Sequence, residues 1–227
     1  MARILLIETS TAKLSVALAQ DGEVCASRIS DQARQQASMT APFVKEVLDE
    51  LGMKVSDCDA VCVGSGPGSY TGLRVGVSTA KGLAFGADLP FIAIGSLEVL
   101  AKMGREESSS FKAIVPMIDA RRMEVYTAVF SPTGERLSPV EAKIIDGQSF
   151  AKELAEGPVL FIGDGALKCR EVLTHPGARF LEAWPDAAAM APLAEVAYKE
   201  RRFEDLAYFE PFYLKDFVAT VSRKKPF

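Results

Sequence analysis

Two acidic residues close apolar runs in this chain and could carry chemistry as a pair. Glu8 ends one run in Ile7-Glu8-Thr9-Ser10, and Asp119 ends another in Ile118-Asp119-Ala120-Arg121. Two such carboxylates can hold a hydrated Mg²⁺, an ion that accepts one or two carboxylates plus substrate phosphates. Thr9 and Ser10 would add hydroxyls to that cleft. Phosphoryl transfer asks for more: a loop that cradles the phosphates and a positioned base. The turn after Glu8, Thr9-Ser10-Thr11-Ala12-Lys13, has hydroxyls and a lysine but no glycine. Weak ATP or ADP binding with Mg²⁺ stays open, whereas turnover by this chain alone is not expected. The purely structural alternative is that both carboxylates cap turns and pair with Lys13 or Arg121.

The segment Gly64-Ser65-Gly66-Pro67-Gly68-Ser69-Tyr70-Thr71-Gly72-Leu73-Arg74 has the most specific spacing. It follows an apolar run, 60–63, that reads as a buried strand, and it leads into a segment of helical composition. Strand, glycine-rich turn and helix together present backbone N–H groups to an anion. Yet no spacing here ends in Gly-Lys-Ser/Thr, and Gly-x-Gly-x-x-Gly is not satisfied, so neither nucleotide loop is present. Gly72, Gly76, Ala80 and Ala84 recur every fourth residue and make one smooth helix stripe. A glycine inside a helix costs about 0.8–1.0 kcal/mol relative to alanine. Close backbone approach would offset that cost through packing.

Other chemistries lack parts. The single histidine, His175, precedes Pro176-Gly177 in an expected turn, so no site that needs two histidines can form. A Ser–His or Cys–His mechanism has only this one base, and no Gly-x-Ser-x-Gly elbow occurs. Proteolysis is not expected. The four cysteines (Cys25, Cys58, Cys62, Cys169) show no Cys-x-x-Cys spacing and read as reduced, in a cytoplasmic protein. Glu8 and Lys13 interrupt the apolar N-terminal run, which argues against a secretory signal. No stretch approaches the roughly 18 apolar residues of a membrane span. A net charge of −4 disfavours a large nucleic-acid surface.

These residues must be positioned by a pattern that occurs twice. Strands are expected at 4–8, 14–19 and 24–29, with Asp21-Gly22 as a hairpin turn. Phe43, Val44, Val47, Leu48 and Leu51 fall at helical spacing, and Gly52 can end that helix. The strand at 60–63, the small-residue helix and a strand at 91–94 complete the first half. The second half repeats the order: strands at 113–118, 124–130 and 136–145, a helix at 148–156, a strand at 159–162 and a helix near 166–174. Gly104-Arg105-Glu106-Glu107-Ser108-Ser109-Ser110 reads as a flexible linker. The expected fold is therefore α/β with two β-β-β-α-β-α lobes, 1–103 and 111–227, and the final helix or tail packs back on the first lobe. Such a duplication resembles the actin-like, sugar-kinase-like and Hsp70-like ATPases. That resemblance places Glu8 and Asp119 on either side of a phosphate cleft, and Gly163-Asp164-Gly165 where adenosine is held.

Four motifs taken in order are more specific. Ile7-Glu8-Thr9-Ser10, Gly66-Pro67-Gly68-Ser69-Tyr70-Thr71-Gly72-Leu73-Arg74, Ile118-Asp119-Ala120-Arg121 and Pro211-Phe212-Tyr213-Leu214-Lys215 closely resemble the bacterial TsaB (YeaZ) family, over almost the whole chain. The resemblance implies an accessory subunit for making threonylcarbamoyladenosine on tRNA, not the transferase. The catalytic paralogue, TsaD, shares the fold and holds a metal through His-x-x-x-His. The corresponding places here are Ser96 and Leu100, which offer no imidazole. No cofactor is then required. The implied partners are a TsaD-like transferase, a TsaE-like ATPase and, when alone, a second copy of this chain. Contact with tRNA would run mainly through the complex, with Arg34, Arg121, Arg122 and the Arg223, Lys224, Lys225 tail as direct candidates. Two positions depart from the family pattern: Gln36 where many members have histidine, and Glu8 where Asp is common.

The resemblance also turns the small-residue helix into an expected partner surface shared with the 39–51 helix. Its residues are Gly72, Leu73, Gly76, Val77, Ala80 and Ala84, with Met39 and Phe43. The alternative is that this stripe packs on the protein's own sheet. Arg74 in the first helical turn opposes the helix dipole and calls for an anionic partner, with Asp59 as the local choice. From another class, the competing function is a stand-alone ATP-dependent small-molecule kinase or ATPase.

Overall fold

Apolar runs near the N-terminus form an antiparallel meander in the computed structural model, which describes residues 2–30, 32–107 and 110–215. It consists of β1 (Arg3–Glu8), β2 (Ser15–Gln20) and β3 (Glu23–Ile29). Asp21 and Gly22 both take positive φ, 54° and 83°, the geometry of a tight two-residue hairpin. Helix α1 (Gln36–Glu50) buries Phe43, Val44, Val47 and Leu48. Gly52 just beyond it has a φ of +64°, as a helix-terminating glycine does. Strand β4 (Ala60–Gly66) lies parallel to β1 with Ile4 opposite Ala60. Helix α2 (Tyr70–Ala87) starts at Ser69, whose hydroxyl accepts from the Gly72 N–H. Strand β5 (Phe91–Gly95) runs straight into α3 (Ser96–Glu107).

The second half holds β6 (Ala113–Asp119), β7 (Glu124–Thr127), β8 (Glu141–Ile144), α4 (Ala151–Glu156), β9 (Val159–Ile162), β10 (Ala178–Leu181) and α5 (Ala187–Lys199). Its sheet reads β8-β7-β6-β9-β10, the same order as β3-β2-β1-β4-β5 in the first. Each is a meander of three antiparallel strands extended by two parallel ones, so the chain is a duplicated α/β fold.

Three elements differ from the sequence expectation. The strand expected over 136–145 forms a ladder only at Glu141–Ile144, with Arg136 in an isolated bridge to Phe130. The helix expected near 166–174 is a single 3-10 turn, Leu167–Cys169, followed by the unforeseen β10. Residues 104–107 are the last turn of α3 rather than the start of a flexible linker. Gly104 is buried there, and a Cβ on it would stand 2.9 Å from Ile114 Cγ2 and 3.2 Å from Leu160 Cδ2. The helix thus needs glycine where it crosses onto the second sheet. Ser108 and Ser109 lie outside the described residues.

Helices α1 and α2 cover one face of the first sheet, and α3 and α5 cover the other. On the α5 side Ala187, Met190, Ala191 and Ala194 pack with Ile4, Leu6 and Ala17. Burying a side chain as large as Ile4, Leu6 or Met190 contributes about 1.5–3 kcal/mol, and each alanine less. Beyond α5 the chain runs back along the first lobe. The Glu204 N–H donates to Phe91 O at 2.8 Å, and the Phe209 ring meets Phe91 edge-on at 5.2 Å. The tail that contains Arg223, Lys224 and Lys225 lies outside the described residues. No helix among the described residues is long and apolar enough to cross a membrane.

Candidate functional site

The end of β1 is where two sequence motifs meet. Glu8, Thr9 and Ser10 are fully buried, and the glycines of the β4–α2 segment form the surface that buries them. A Cβ on Gly64 would collide with the Glu8 carboxylate, on Gly68 with Ser10 O, on Gly72 with Thr9 O and on Gly76 with Thr9 Oγ1. Polar ties complete the join. Thr9 Oγ1 donates to Gly72 O at 2.8 Å, and the Ser69 N–H donates to Ser10 O at 2.6 Å. The Gln36 amide donates to Thr11 O at 2.7 Å, fastening the start of α1 to the same turn. The glycine-rich motif is therefore a socket for the β1–β2 turn rather than a cradle for phosphate.

Glu8 Oε1 accepts from the Ser10 N–H at 2.5 Å, but Oε2 has no partner, and neither do Ser10 Oγ or Thr11 Oγ1. Burial pushes the Glu8 carboxyl above its usual range, and the Ser10 hydrogen bonding offsets only part of that. The charged form is disfavoured, and no carboxylate oxygen reaches solvent.

The stripe expected to meet a partner faces inward, which corrects that expectation for the free chain. Gly72, Leu73, Gly76, Val77, Ala80 and Ala84 are buried, as is Phe43, and Met39 is half-buried against the same core. The close approach of α2 to the β1 turn consumes the smooth face. The opposite face of α2 carries Ser78, Gly82, Phe85 and Gly86, all exposed, with Phe85 81% accessible. Nothing lies within 4 Å of a Cβ built on Gly82 or Gly86. Beside this face an apolar groove of roughly 340 Å³ runs between α1 and α2, lined by Val44, Leu48, Met53, Thr79 and Leu83. Arg74 finds no carboxylate among the described residues: its guanidinium donates to the Tyr70 hydroxyl at 3.0 Å and lies over that ring. Asp59, the expected partner, accepts from the Arg3 N–H at 2.7 Å instead.

The equivalent turn of the second lobe is open. Asp119 is exposed, and its Oδ1 accepts from the Arg121 N–H at 2.9 Å and from the Lys168 ammonium. The Asp119 N–H donates to Asp164 Oδ1 at 2.9 Å. Burial pushes the Asp164 carboxyl up, and the neighbouring Asp119 charge adds to it. Gly163 has a φ of +137°, and a Cβ on it would collide with Met117 O. The Gly165 N–H donates to the same oxygen at 2.9 Å. The structure thus gathers Asp119, Gly163 and Gly165 in one place and Glu8, Thr9 and Ser10 in another. Among the described residues no hydrogen bond or ion pair joins the two sets. Lys13 stands over the Trp184 ring at 4.1 Å and pairs with neither carboxylate. A Mg²⁺ shared by Glu8 and Asp119 does not fit this arrangement, because Glu8 is sealed and Asp119 is neutralised by Lys168.

The motif Pro211-Phe212-Tyr213-Leu214-Lys215 lies in the tail expected to pack back on the first lobe. In the structure it closes over the glycine motif and reaches the other lobe. The Phe212 N–H donates to Ser65 O at 2.8 Å, the Tyr213 ring lies 5.0 Å from Tyr70, and Lys215 pairs with Glu124 on β7. Ser96 and Leu100 are both buried in α3. His175 Nδ1 accepts from the Gly177 N–H at 3.0 Å within its own turn. Among the described residues no three His, Cys, Asp or Glu side chains converge as metal ligands.

Residues 23–222 match the family model described as TsaD, tRNA N6-adenosine threonylcarbamoyltransferase. The tRNA threonylcarbamoyladenosine biosynthesis protein TsaB of Bacillus subtilis (strain 168) is 37% identical over 164 residues, covering 70% of each chain. The protein of the same name from Escherichia coli (strain K12) is 31% identical over 226 residues and covers 96% of each. Among solved structures, YeaZ from Pseudomonas aeruginosa superposes with a TM-score of 0.80 at 29% identity, over 94% of this chain and 100% of that one. An activator of 2-hydroxyisocaproyl-CoA dehydratase from Clostridium difficile, solved with bound ADPNP, gives a TM-score of 0.52 at 11% identity, over 88% of this chain and 97% of that one. That likeness bears on the fold alone.

Proposed function

The chain belongs to the TsaB family, and from that premise we propose that it serves threonylcarbamoyladenosine synthesis on tRNA as a non-catalytic subunit that binds a TsaD-type transferase. One observation carries the partner reading: the outer face of α2, open at Gly82 and Gly86 and flanked by exposed Phe85, beside an apolar groove against α1. Glycines on an exposed helix face let another backbone come close, and an aromatic anchor next to a groove is the composition of an interface core. The same face serves a second copy of this chain when the transferase is absent. A TsaE-type ATPase joins the complex, and tRNA is met mainly through it, in the cytoplasm.

Absence of catalysis is supported by the parts that chemistry would need. The family resemblance puts Ser96 and Leu100 at the places of the transferase's imidazole pair, and the sole histidine is engaged in its own turn. No cofactor is assigned to this chain, since the sealed Glu8 offers a nucleotide-bound Mg²⁺ no oxygen.

Size-exclusion chromatography with light scattering, on this chain alone and mixed with a TsaD-type transferase, tests the reading. Nothing lies within 4 Å of a Cβ built on Gly82, so Gly82→Arg is expected to keep the fold while blocking the face. The expected result is a stable mixed complex that Gly82→Arg abolishes while the variant melts no lower than wild type. A complex indifferent to Gly82→Arg overturns the surface, and no complex at all overturns the subunit role.

A further inference from the structure

Away from the glycine socket, the two lobes enclose a second cleft of roughly 270 Å³. Its walls come from α3, from the turn that follows β7, and from α5. Arg105 and Lys102 enter from α3 and Arg136 from the turn, over an apolar floor of Phe130 and Leu193. Lys102 is already paired with Glu106 at 2.8 Å. The guanidiniums of Arg105 and Arg136 make no hydrogen bond or ion pair among the described residues. Arg105 lies beside Gly134, which has a φ of +94°, and a Cβ there would lie 2.7 Å from Arg105 Nη1. The one carboxylate in the lining, Glu98, stands two helical turns from Arg105, about 10 Å along the axis at 1.5 Å per residue.

We propose that this interlobe cleft binds a phosphate group, held between the forks of Arg105 and Arg136. Two unpaired guanidiniums present several N–H donors in fixed planes, which suits an oxyanion that accepts on several sides at once. Glu106 and Glu135 stand next to the two arginines in the chain, but Glu106 is taken by Lys102 and neither arginine forms an ion pair among the described residues. The cleft falls just below the size of about 300–1,000 Å³ typical of pockets that engulf a whole ligand. It therefore takes the phosphate and the atoms next to it, over Phe130 and Leu193, and leaves the remainder in solvent. A free nucleotide and the backbone of an RNA present the same chemistry to such a site. The inference does not depend on the subunit role, because it concerns the isolated chain.

Binding to the full chain at low salt tests it, by calorimetry with AMP and by fluorescence anisotropy with a labelled RNA oligonucleotide. Arg105→Gln and Arg136→Gln are compared with Lys152→Gln, an exposed cation on α4. Each arginine replacement should weaken binding about tenfold, the value of a charge-assisted hydrogen bond, and Lys152→Gln should leave it unchanged. Arg105→Lys keeps the charge without the fork and should lie between wild type and Arg105→Gln. AMP binding identifies a free nucleotide as sufficient, and binding of RNA alone identifies a phosphodiester. Unmoved melting temperatures show that the fold is intact. The site is overturned if neither probe binds, or if the double arginine variant binds as wild type does.

Discussion

The two lobes end their first strands in topologically equivalent turns and treat the acidic residue there in opposite ways. In the first lobe, four glycines of the β4–α2 segment draw the turn under α2, and Glu8 ends fully buried with one oxygen unpartnered. In the second, only a short 3-10 turn follows β9, and Asp119 stays exposed, held by Lys168. An α2 that sits against the β1 turn keeps Glu8 out of solvent. The difference teaches that the same place in the fold can seal a carboxylate in one lobe and leave it open in the other.

Glycine replacements separate socket from surface within one helix and should give the largest effects. Gly72→Val drives a side chain into the Thr9 carbonyl and should cost about 3 kcal/mol or more in denaturant unfolding. Gly82→Ala, six residues downstream of Gly76 on the open face, should stabilise by up to about 1 kcal/mol through helix propensity. Equal losses at both positions would erase the distinction between the inner and outer faces.

Glu8→Gln comes next. Because burial raises the folded carboxyl above its ordinary value of 4.5, the folded chain keeps this proton at a pH where the unfolded chain has released it. The stability contributed by the neutral form is complete below that ordinary value. It is lost as pH rises towards the folded value, at no more than about 1.4 kcal/mol per pH unit. Glu8→Gln should flatten that slope and leave the protein more stable than wild type at neutral pH. Identical pH–stability curves for the two would show that the β1 turn does not penalise the charge.

Lys168→Ala should have the smallest effect, under about 1 kcal/mol, because both partners are partly exposed and screened by water. A loss as large as that of Gly72→Val would mean that the second turn depends on its contacts as heavily as the first.

Much of this is legible without coordinates. The Asp21-Gly22 hairpin, the helical spacing from Phe43 to Leu48 and the apolar strand runs announce themselves through local turn chemistry and periodicity. The four family motifs are legible too, as a set in fixed order along the chain. Helix α3 is not, because its polar last turn, Arg105-Glu106-Glu107, reads as solvent-exposed linker, and Gly104 reads as a breaker. Only the presence of Ile114 and Leu160 beside that glycine explains it.

Sequence alone thus determined the repeated β-β-β-α-β pattern, the family, and the lack of an imidazole pair, since each depends on residue identity and short-range spacing. Tertiary structure alone decided which side of α2 faces out. A stripe at every fourth residue is equally smooth to a neighbouring strand turn and to another subunit, and periodicity cannot tell them apart. The partner of each glycine is a residue some sixty positions away, Thr9 for Gly72 and Gly76, and that pairing exists only once the sheet has closed.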